Sequence, residues 1–241
     1  MDGNTTAPVL AWRAWRSAGA AFRANPLLLL LPVLILFGFS FGSVLLSVPY
    51  FMLLGGEAGL LVLSLATILV RCATLACVAI AVHRFVLQNE TPSPAALTPG
   101  RWFRFAAALL AFELASKLLL ALGRSPLAMA AESAGLILLF FAGIRLLLMF
   151  PAIALDEDAP ARQGWQRSAG RFWFFLASVV LTELPVIVVI MLGGFVVLSG
   201  RLVLHSAFGL PAIGFLAFGD VVVVANAAAG AAMASWLYRD A

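Results

Sequence analysis

Charged side chains interrupt five of the six long apolar segments of this chain, each close to the middle of its segment. They comprise three cations and three anions, namely Arg71, Glu113, Lys117, Arg145, Glu183 and Asp220. On an isolated helix a charge at the centre of a bilayer costs several kcal/mol, so such residues pair inside a bundle or line a water-filled cavity. The chemistry open to them is ion pairing, proton relay or binding of a charged solute.

The spacing of these charges predicts how they pair. Glu113 and Lys117 are four residues apart with the acid first, so they can form a salt bridge within one helix. The remaining cations, Arg71 and Arg145, then need partners from other helices, and the other two acids match them in sign and depth. We expect an ionic network that specifies which helices meet.

Composition identifies the elements that must position these charges. Hydrophobic residues make up 63% of the 241 residues and charged residues only 11%, and the mean hydropathy is +1.08, which excludes a soluble globular domain. A hydrocarbon core of about 30 Å needs roughly 20 apolar residues per helix. We therefore predict an all-α, polytopic membrane bundle of six transmembrane helices, over residues 26–46, 59–83, 105–122, 134–155, 174–198 and 211–236.

Arginine placement predicts the orientation of this bundle. Arginines are concentrated before the first span, between the second and third spans, and between the fourth and fifth. Because short cytoplasmic loops carry the excess of Lys and Arg, we expect both termini to be cytoplasmic. Residues 1–25 are then a cytoplasmic amphipathic interfacial segment, and residues 26–241 form the six-helix transmembrane domain.

The arginine-bearing segments also contain large aromatic side chains, as membrane-surface segments do. Their basic and aromatic residues are Trp12, Arg13, Trp15, Arg16, Phe22, Arg23, Arg101, Trp102, Arg104, Trp165, Arg167, Arg171 and Trp173. In residues 1–25 the aromatic residues and the arginines occupy neighbouring sides of a helix, which suits a helix in the headgroup layer. We expect contacts with membrane lipids, chiefly anionic headgroups on the cytoplasmic side, or with a membrane-protein partner. Ordinary anchoring of the bundle is the simpler alternative, and nucleic acid is not an expected partner.

Small side chains dominate one part of the last predicted span. Ala227, Gly230, Ala231 and Ala234 give that helix a surface on which a neighbouring helix can pack closely. The sequence leaves open whether that neighbour belongs to this chain or to another subunit.

Motifs of enzyme chemistry are scarce. The sequence contains no phosphate-binding glycine loop, no zinc-protease motif and no nucleophile with a base at a recognisable spacing. Cys72 and Cys77 are five residues apart, so they do not share a helix face and are interpreted as buried free thiols. We therefore expect a non-enzymatic protein without a metal or another cofactor.

The stretch 144–173, IRLLLMFPAIALDEDAPARQGWQRSAGRFW, combines an arginine-bearing helix, a proline-interrupted apolar run, an acidic loop and a Ser-x-Gly-x-x-aromatic segment. Through Arg145, Pro151, Ser168, Gly170 and Trp173 it resembles a group of bacterial six-helix inner-membrane proteins. That group includes the membrane domain attached to some glycerophosphodiester phosphodiesterases. The resemblance covers about an eighth of the chain. It implies the six-helix architecture and a bacterial cytoplasmic (inner) membrane, but no hydrolytic residues, because the soluble domain is not part of the likeness.

Three functions are compatible with these patterns. The leading hypothesis is an accessory, assembly or scaffold role in a membrane complex, based on the small-residue surface and the basic-aromatic segments. A small-solute or proton-coupled transporter that uses Glu183 and Asp220 is the second, since Pro185 interrupts the helix close to Glu183. A lipid-interacting membrane module is the third.

Overall fold

The computed structural model describes residues 6–53, 56–93, 97–121, 126–198 and 210–241, and within these ranges the chain is helical, with no strand. The helices are α1 (Ala7–Ala24), α2 (Leu27–Leu53), α3 (Glu57–Gln88), α4 (Pro99–Leu120), α5 (Pro126–Leu146), α6 (Met149–Ala154), α7 (Pro160–Arg167), α8 (Phe172–Leu198) and α9 (Leu210–Asp240). Five of them, α2, α3, α5, α8 and α9, are long and apolar enough to cross a membrane. The all-α prediction is confirmed, and these helices are those of a multi-pass membrane protein.

The predicted third span corresponds to α4, which is not among these five helices. Its 22 residues include four charged side chains, which lower its mean hydropathy. Contacts at two levels show its direction: the rings of Phe105 and His83 are 5.7 Å apart, and Glu113 lies 3.8 Å from Arg71. Helix α4 therefore runs antiparallel to α3.

Helices α3 and α9 form the centre of the bundle. Their second halves carry fully buried side chains, such as Ile80 in α3 and Ala228 in α9, and each packs on several other helices. The two run in the same direction, because Arg71 acts electrostatically on Asp220 while His83 contacts Ser235 further along both. Helix α8 runs antiparallel to α9, since Glu183 contacts Asn226 and the earlier Arg171 contacts the later Asp240.

Many of the arginines lie at one end of the bundle, which is called the arginine-rich end below. It contains the last turns of α3 and α9, the first turns of α4 and α8, and the short helices α6 and α7. Its arginines include Arg84, Arg101, Arg104, Arg167 and Arg171. The arginine-bearing segments before α4 and before α8 thus lie at one end, and the assignment of this end to the cytoplasm stays a prediction.

The fourth predicted span, 134–155, is divided in the structure. Helix α5 ends at Leu146, and a turn leads into the separate helix α6, in which Pro151 is the third residue. Proline is tolerated there because the first amides of a helix have no acceptor within it. Arg145 therefore stands at the end of α5 and not in the middle of a span, which corrects the prediction.

Helix α1 packs on the bundle through small side chains. Its buried face consists of Leu10, Ala14, Ala18 and Ala21, spaced by three or four residues, and it contacts α8 and α9. The expected aromatic face is divided: the side chain of Trp12 is 69% exposed, whereas other rings contact the protein. The position of α1 in a headgroup layer stays a prediction.

Candidate functional site

Acidic side chains near the helix ends bind the arginines of α3 and α4. Arg101 Nε donates to Asp156 Oδ2 at 3.0 Å, and Arg104 Nη2 donates to the other oxygen of that carboxylate at 2.6 Å. Arg84 donates two hydrogen bonds, of 2.7 and 2.6 Å, to Glu90, and this guanidinium holds the pKa of the Glu90 carboxyl below its usual range. The predicted lipid contacts Arg101 and Arg104 therefore also hold the bundle together.

The arginines around α7 bind the end of α9 in a similar way. Arg167 lies 3.6 Å from Glu157 and stacks over the ring of Tyr238, at 4.2 Å from the ring centroid. Arg171 Nη1 donates to the carbonyl of Asp240 at 2.8 Å. The loop between α6 and α8 is thus fixed to the final turn of the last helix.

The other residues predicted for the membrane surface divide into two groups. The first group contacts the protein. Trp15 Nε1 donates to the Thr182 carbonyl at 3.0 Å, and Trp102 Nε1 donates to the Ala73 carbonyl at 3.1 Å. Phe22 packs on the core, and Arg13 lies over the Trp236 ring. Exposed side chains form the second group: Trp12, Arg16, Arg23, Trp165 and Trp173. This second group is accessible enough for the predicted contacts with lipid headgroups, as are Arg13 and Arg104, which are also exposed.

Arg145 binds backbone carbonyls instead of an acid. Its guanidinium donates to the carbonyl of Ser168 at 2.8 Å and to that of Trp165 at 3.1 Å, and it lies over the Trp165 ring. Ser168 Oγ in return donates to the Arg145 carbonyl at 2.8 Å. The predicted ion pair between Arg145 and an acid of another helix is wrong, because this residue stands in the last turn of α5 and binds the turn after α7.

Arg71 pairs with a different acid from the one expected. Its Nη1 lies 3.8 Å from Glu113 Oε1, and Arg71 also acts electrostatically on Asp220, which faces Ser40 of α2. Lys117 is exposed and forms no salt bridge among the described residues. The predicted Glu113–Lys117 pair within α4 is therefore replaced by a link between α3 and α4.

Glu183 has an amide and no cation as its partner. Asn226 Nδ2 of α9 donates to Glu183 Oε2 at 2.8 Å, and in the described part of the chain Glu183 forms no salt bridge. The Oδ1 atom of Asn226 is buried and has no hydrogen-bond partner, and the same is true of Asp220 Oδ2. Unpaired buried oxygens are rare in proteins, since each has lost its water without a replacement.

Two adjoining cavities meet at the Glu183–Asn226 pair. The large cavity, about 650 Å³, is lined by Arg71 of α3 together with apolar residues of α8 and α9, such as Ile190 and Phe218. The small cavity, about 200 Å³, continues toward the arginine-rich end, where His83 lines it. Leu75, Glu183, Asn226 and Ala227 line both cavities.

The small residues of α9 make room for the small cavity. Ala227, Gly230, Ala231 and Ala234, which were predicted to pack against a neighbouring helix, all line it. A Cβ atom added at Gly230 would meet no atom within 4 Å. The fully buried Ala228, Ala229 and Ala232 lie on a helix that packs against α1, α2, α3 and α8 of this same chain. These three alanines pack on helices of this chain, whereas the four residues predicted to pack against a neighbouring helix line the cavity.

His83 lies in the wall of the small cavity and binds Ser235. The distance from His83 Nδ1 to Ser235 Oγ is 2.7 Å, and Ser235 Oγ donates its own proton to the Ala231 carbonyl at 2.9 Å. A hydroxyl has one proton to donate, so the ring nitrogen must be the donor in this contact. In its neutral form His83 therefore carries its proton on Nδ1, and Nε2 is the acceptor.

Neither a metal site among the described residues nor a similar protein identifies a function for this chain. In the described ranges no three His, Cys, Asp or Glu side chains are grouped to hold a metal ion, and Cys72 and Cys77 are free thiols. No protein family, no curated protein and no solved structure matches this chain. The resemblance through residues 144–173 to the six-helix inner-membrane group therefore stays a prediction.

Sequence reasoning missed three residues of the site, namely Asn226, His83 and Ser235. Asn226 is the only amide in the alanine- and glycine-rich part of α9, and that isolation is a signal in the sequence. Ser235 lies nine residues beyond it on the same helix. Nothing in the sequence pairs Ser235 with His83, because their contact joins two helices that are distant in the chain.

Proposed function

We propose that this protein is a membrane carrier for a small solute, and that the solute binds in the two cavities between α3, α8 and α9. The observation that supports this role is the position of Glu183 and Asn226 at the junction of both cavities. A polar pair in an otherwise apolar cavity between helices is the usual arrangement of a small-molecule site. Ionisable residues within membrane helices mark solute and proton paths in many transporters.

The charges near these cavities favour binding over a purely structural network. Arg71 is the cation next to them, and it is shared by Glu113 and Asp220. Glu183 therefore lacks a counter-charge among the described residues. A carboxylate removed from water requires a cation or a proton, and a solute or a transported proton supplies one.

The backbone beside Glu183 is suited to movement. Pro185 follows two residues later inside α8 and removes an amide donor from its hydrogen-bond ladder. The helix is continuous at this point, but an internal proline makes it easier to bend, and carriers work by rocking one part of the bundle against another. Trp15 of α1 binds the Thr182 carbonyl just before this point, so α1 would move together with the first half of α8.

The carrier that we propose crosses the membrane six times. Helix α4 is the sixth span, since it runs antiparallel to α3, and its charged Arg101 and Arg104 belong to the arginine-rich end. With that end in the cytoplasm, both termini are cytoplasmic and the loops obey the positive-inside rule. We place the protein in a bacterial cytoplasmic membrane, with anionic lipid headgroups around the exposed arginines Arg16 and Arg23.

Thiol labelling tests whether the cavities are open to water. Cysteines are placed one at a time at Ala227 and Gly230 in a chain that carries Cys72→Ala and Cys77→Ala, and vesicles are treated with a charged, membrane-impermeant reagent. We expect both positions to react. Controls are Ala232→Cys, which is fully buried, and Leu138→Cys, which is exposed on α5 away from the cavities. Both controls should stay unlabelled.

Two results of this labelling would count against the carrier. If positions 227 and 230 were as unreactive as position 232, the cavities would be dry and the proposal would fail. If Gly230→Leu, which fills the small cavity, left labelling at 227 unchanged from both sides of the membrane, the two cavities would not form one path. The accessory or scaffold hypothesis would then lead again, although the small-residue surface that motivated it lines the small cavity.

A lipid-interacting role is the second candidate, and a separate groove favours it. This groove, about 460 Å³, is bounded by Leu28, Leu31 and Ile35 of α2 and by Cys77 and Trp102. Its walls are almost wholly apolar, which suits the acyl chain of a membrane lipid. Leu31→Asn should reduce the phospholipid that co-purifies with the protein, as measured by mass spectrometry, whereas Leu138→Asn, on an exposed part of α5, should not. Equal lipid content in both variants would exclude the groove as a lipid site.

A further inference from the structure

We propose that the solute of this carrier is a small organic cation, an ammonium group attached to an apolar body. Its ammonium group binds between the carboxylate of Glu183 and the amide oxygen of Asn226. This inference rests on the proposed carrier function and adds the chemical class of the solute. The large cavity offers such a solute both a carboxylate and apolar walls.

The hydrogen-bonding groups at the cavity junction point to a donor as ligand. Asn226 uses Nδ2 toward Glu183 Oε2, which leaves its own buried Oδ1 without a partner. Glu183 has a second carboxylate oxygen as well. An ammonium group carries three N–H donors and no acceptor, so it can satisfy both oxygens at once. Charge-assisted hydrogen bonds of this kind are about twice as strong as neutral ones.

The charged groups on every neighbouring helix agree with a cation. Helix α3 contributes Arg71 and His83, of which Arg71 is paired with Glu113 of α4. Helix α9 contributes Asp220, which Arg71 also faces. An anionic solute would meet the carboxylate of Glu183, and Arg71, the cation in the wall of the same cavity, already faces Glu113 and Asp220. A cationic solute supplies the counter-charge that Glu183 lacks.

The remaining walls exclude a bare metal ion and favour an apolar body. Ca²⁺ takes six to eight oxygen ligands and Mg²⁺ takes six, many more than the two side chains here can offer. Phe215, Phe218 and Ile190 line the same cavity, and its volume of about 650 Å³ lies within the usual range of small-molecule sites. Aromatic side chains also attract organic cations through their ring faces.

A binding measurement with three phenylalkyl probes of different charge tests this inference. The full chain is placed in lipid nanodiscs, and radiolabelled 2-phenylethylammonium is titrated in a scintillation proximity assay. We expect saturable binding that other aryl-alkyl amines compete for and that neutral 2-phenylethanol and anionic 3-phenylpropanoate do not. Glu183→Gln should weaken binding at least about tenfold, and Asn226→Leu should weaken it as well, because each removes an acceptor of the charged donor.

Matched variants separate a lost ligand contact from a lost fold. Glu132→Gln neutralises an acid of α5 that does not line the cavities, so it should bind the amine as the unmodified chain does. Glu183→Asp keeps the charge and should retain part of the affinity. Thermal unfolding of each variant confirms that it is folded.

The outcomes also distinguish the two proposals. Equal competition by the alcohol and the amine, or undiminished binding to Glu183→Gln, would overturn the cation while leaving a carrier of another solute. The amine could also fail to bind although a cysteine at position 230 still reacts with the charged thiol reagent. That result too would overturn the cation and leave a carrier of another solute. A protein that shows neither labelling nor binding would overturn both.

Discussion

Arg71 of α3 lies 3.8 Å from Glu113 of α4. The contact joins two helices, each of which carries a charged side chain near its middle. Both side chains keep some exposure, 49% for Arg71 and 34% for Glu113, so the pair is not sealed in a dry core. A pair of this kind contributes little to stability, and its main effect is to select which helices meet. It also leaves Glu183 as the acid available to a ligand.

A double-mutant cycle will measure this link. We expect Arg71→Leu and Glu113→Gln to show a coupling energy of about 0.5–1 kcal/mol, because the distance is long and the groups are partly exposed. The measurement is the free energy of unfolding in detergent for the four proteins of the cycle. The matched cycle pairs Glu113→Gln with Lys117→Met and should show no coupling. A larger coupling to Lys117 than to Arg71 would contradict the structure.

Much of the fold could be predicted from the sequence, because apolar length specifies a membrane helix without any knowledge of its neighbours. The prediction 174–198 differs from α8 (Phe172–Leu198) by two residues, and 211–236 lies within α9 (Leu210–Asp240). The prediction of the fourth span was less accurate. Its apolar run continues past the end of α5 into α6, so hydropathy alone could not locate the break before Pro151.

The partners in the site were harder to predict. Spacing along a helix shows which residues share a face, but it does not show which helix that face meets. Glu113 had a good partner four residues away, yet the fold gives it Arg71, more than forty residues earlier. Asn226 and Ser235 gained their roles only when α9 was placed against α8 and α3.

Arg145 should not be replaceable by lysine. Its planar guanidinium donates to the carbonyls of Ser168 and Trp165 and stacks on the Trp165 ring, and a lysine ammonium cannot do all three. We expect Arg145→Lys to lower the free energy of unfolding by about 1–2 kcal/mol. Arg162→Lys, at an exposed position of α7, is the control and should change it by less than about 0.5 kcal/mol. Equal changes in the two variants would show that the planar guanidinium of Arg145 adds nothing to stability beyond its charge.

Two glycine substitutions should act in opposite directions. A Cβ atom at Gly164 of α7 would lie 2.7 Å from the backbone nitrogen of Met149, so α7 would have to move away from α6. We expect Gly164→Ala to destabilise the protein by about 1–3 kcal/mol. At Gly19, inside α1, a Cβ atom meets nothing within 4 Å, so Gly19→Ala should stabilise by about 0.5–1 kcal/mol. Melting temperatures of the two variants on opposite sides of the unmodified chain would agree with this packing, and a lower value for Gly19→Ala would contradict it.

The contact between His83 and Ser235 should be worth more than an ordinary serine hydrogen bond. Ser235→Ala leaves the buried Nδ1–H of His83 without an acceptor, and we expect a loss of about 1–3 kcal/mol in the free energy of unfolding. Ser178→Ala is the matched control, because Ser178 is equally buried but its hydroxyl donates only to the Phe174 carbonyl of its own helix. That variant should lose less than about 1 kcal/mol. The ¹⁵N chemical shifts of His83 should identify Nδ1 as the protonated nitrogen in the unmodified chain. Protonation at Nε2, or equal losses for the two serine variants, would show that His83 does not donate to Ser235.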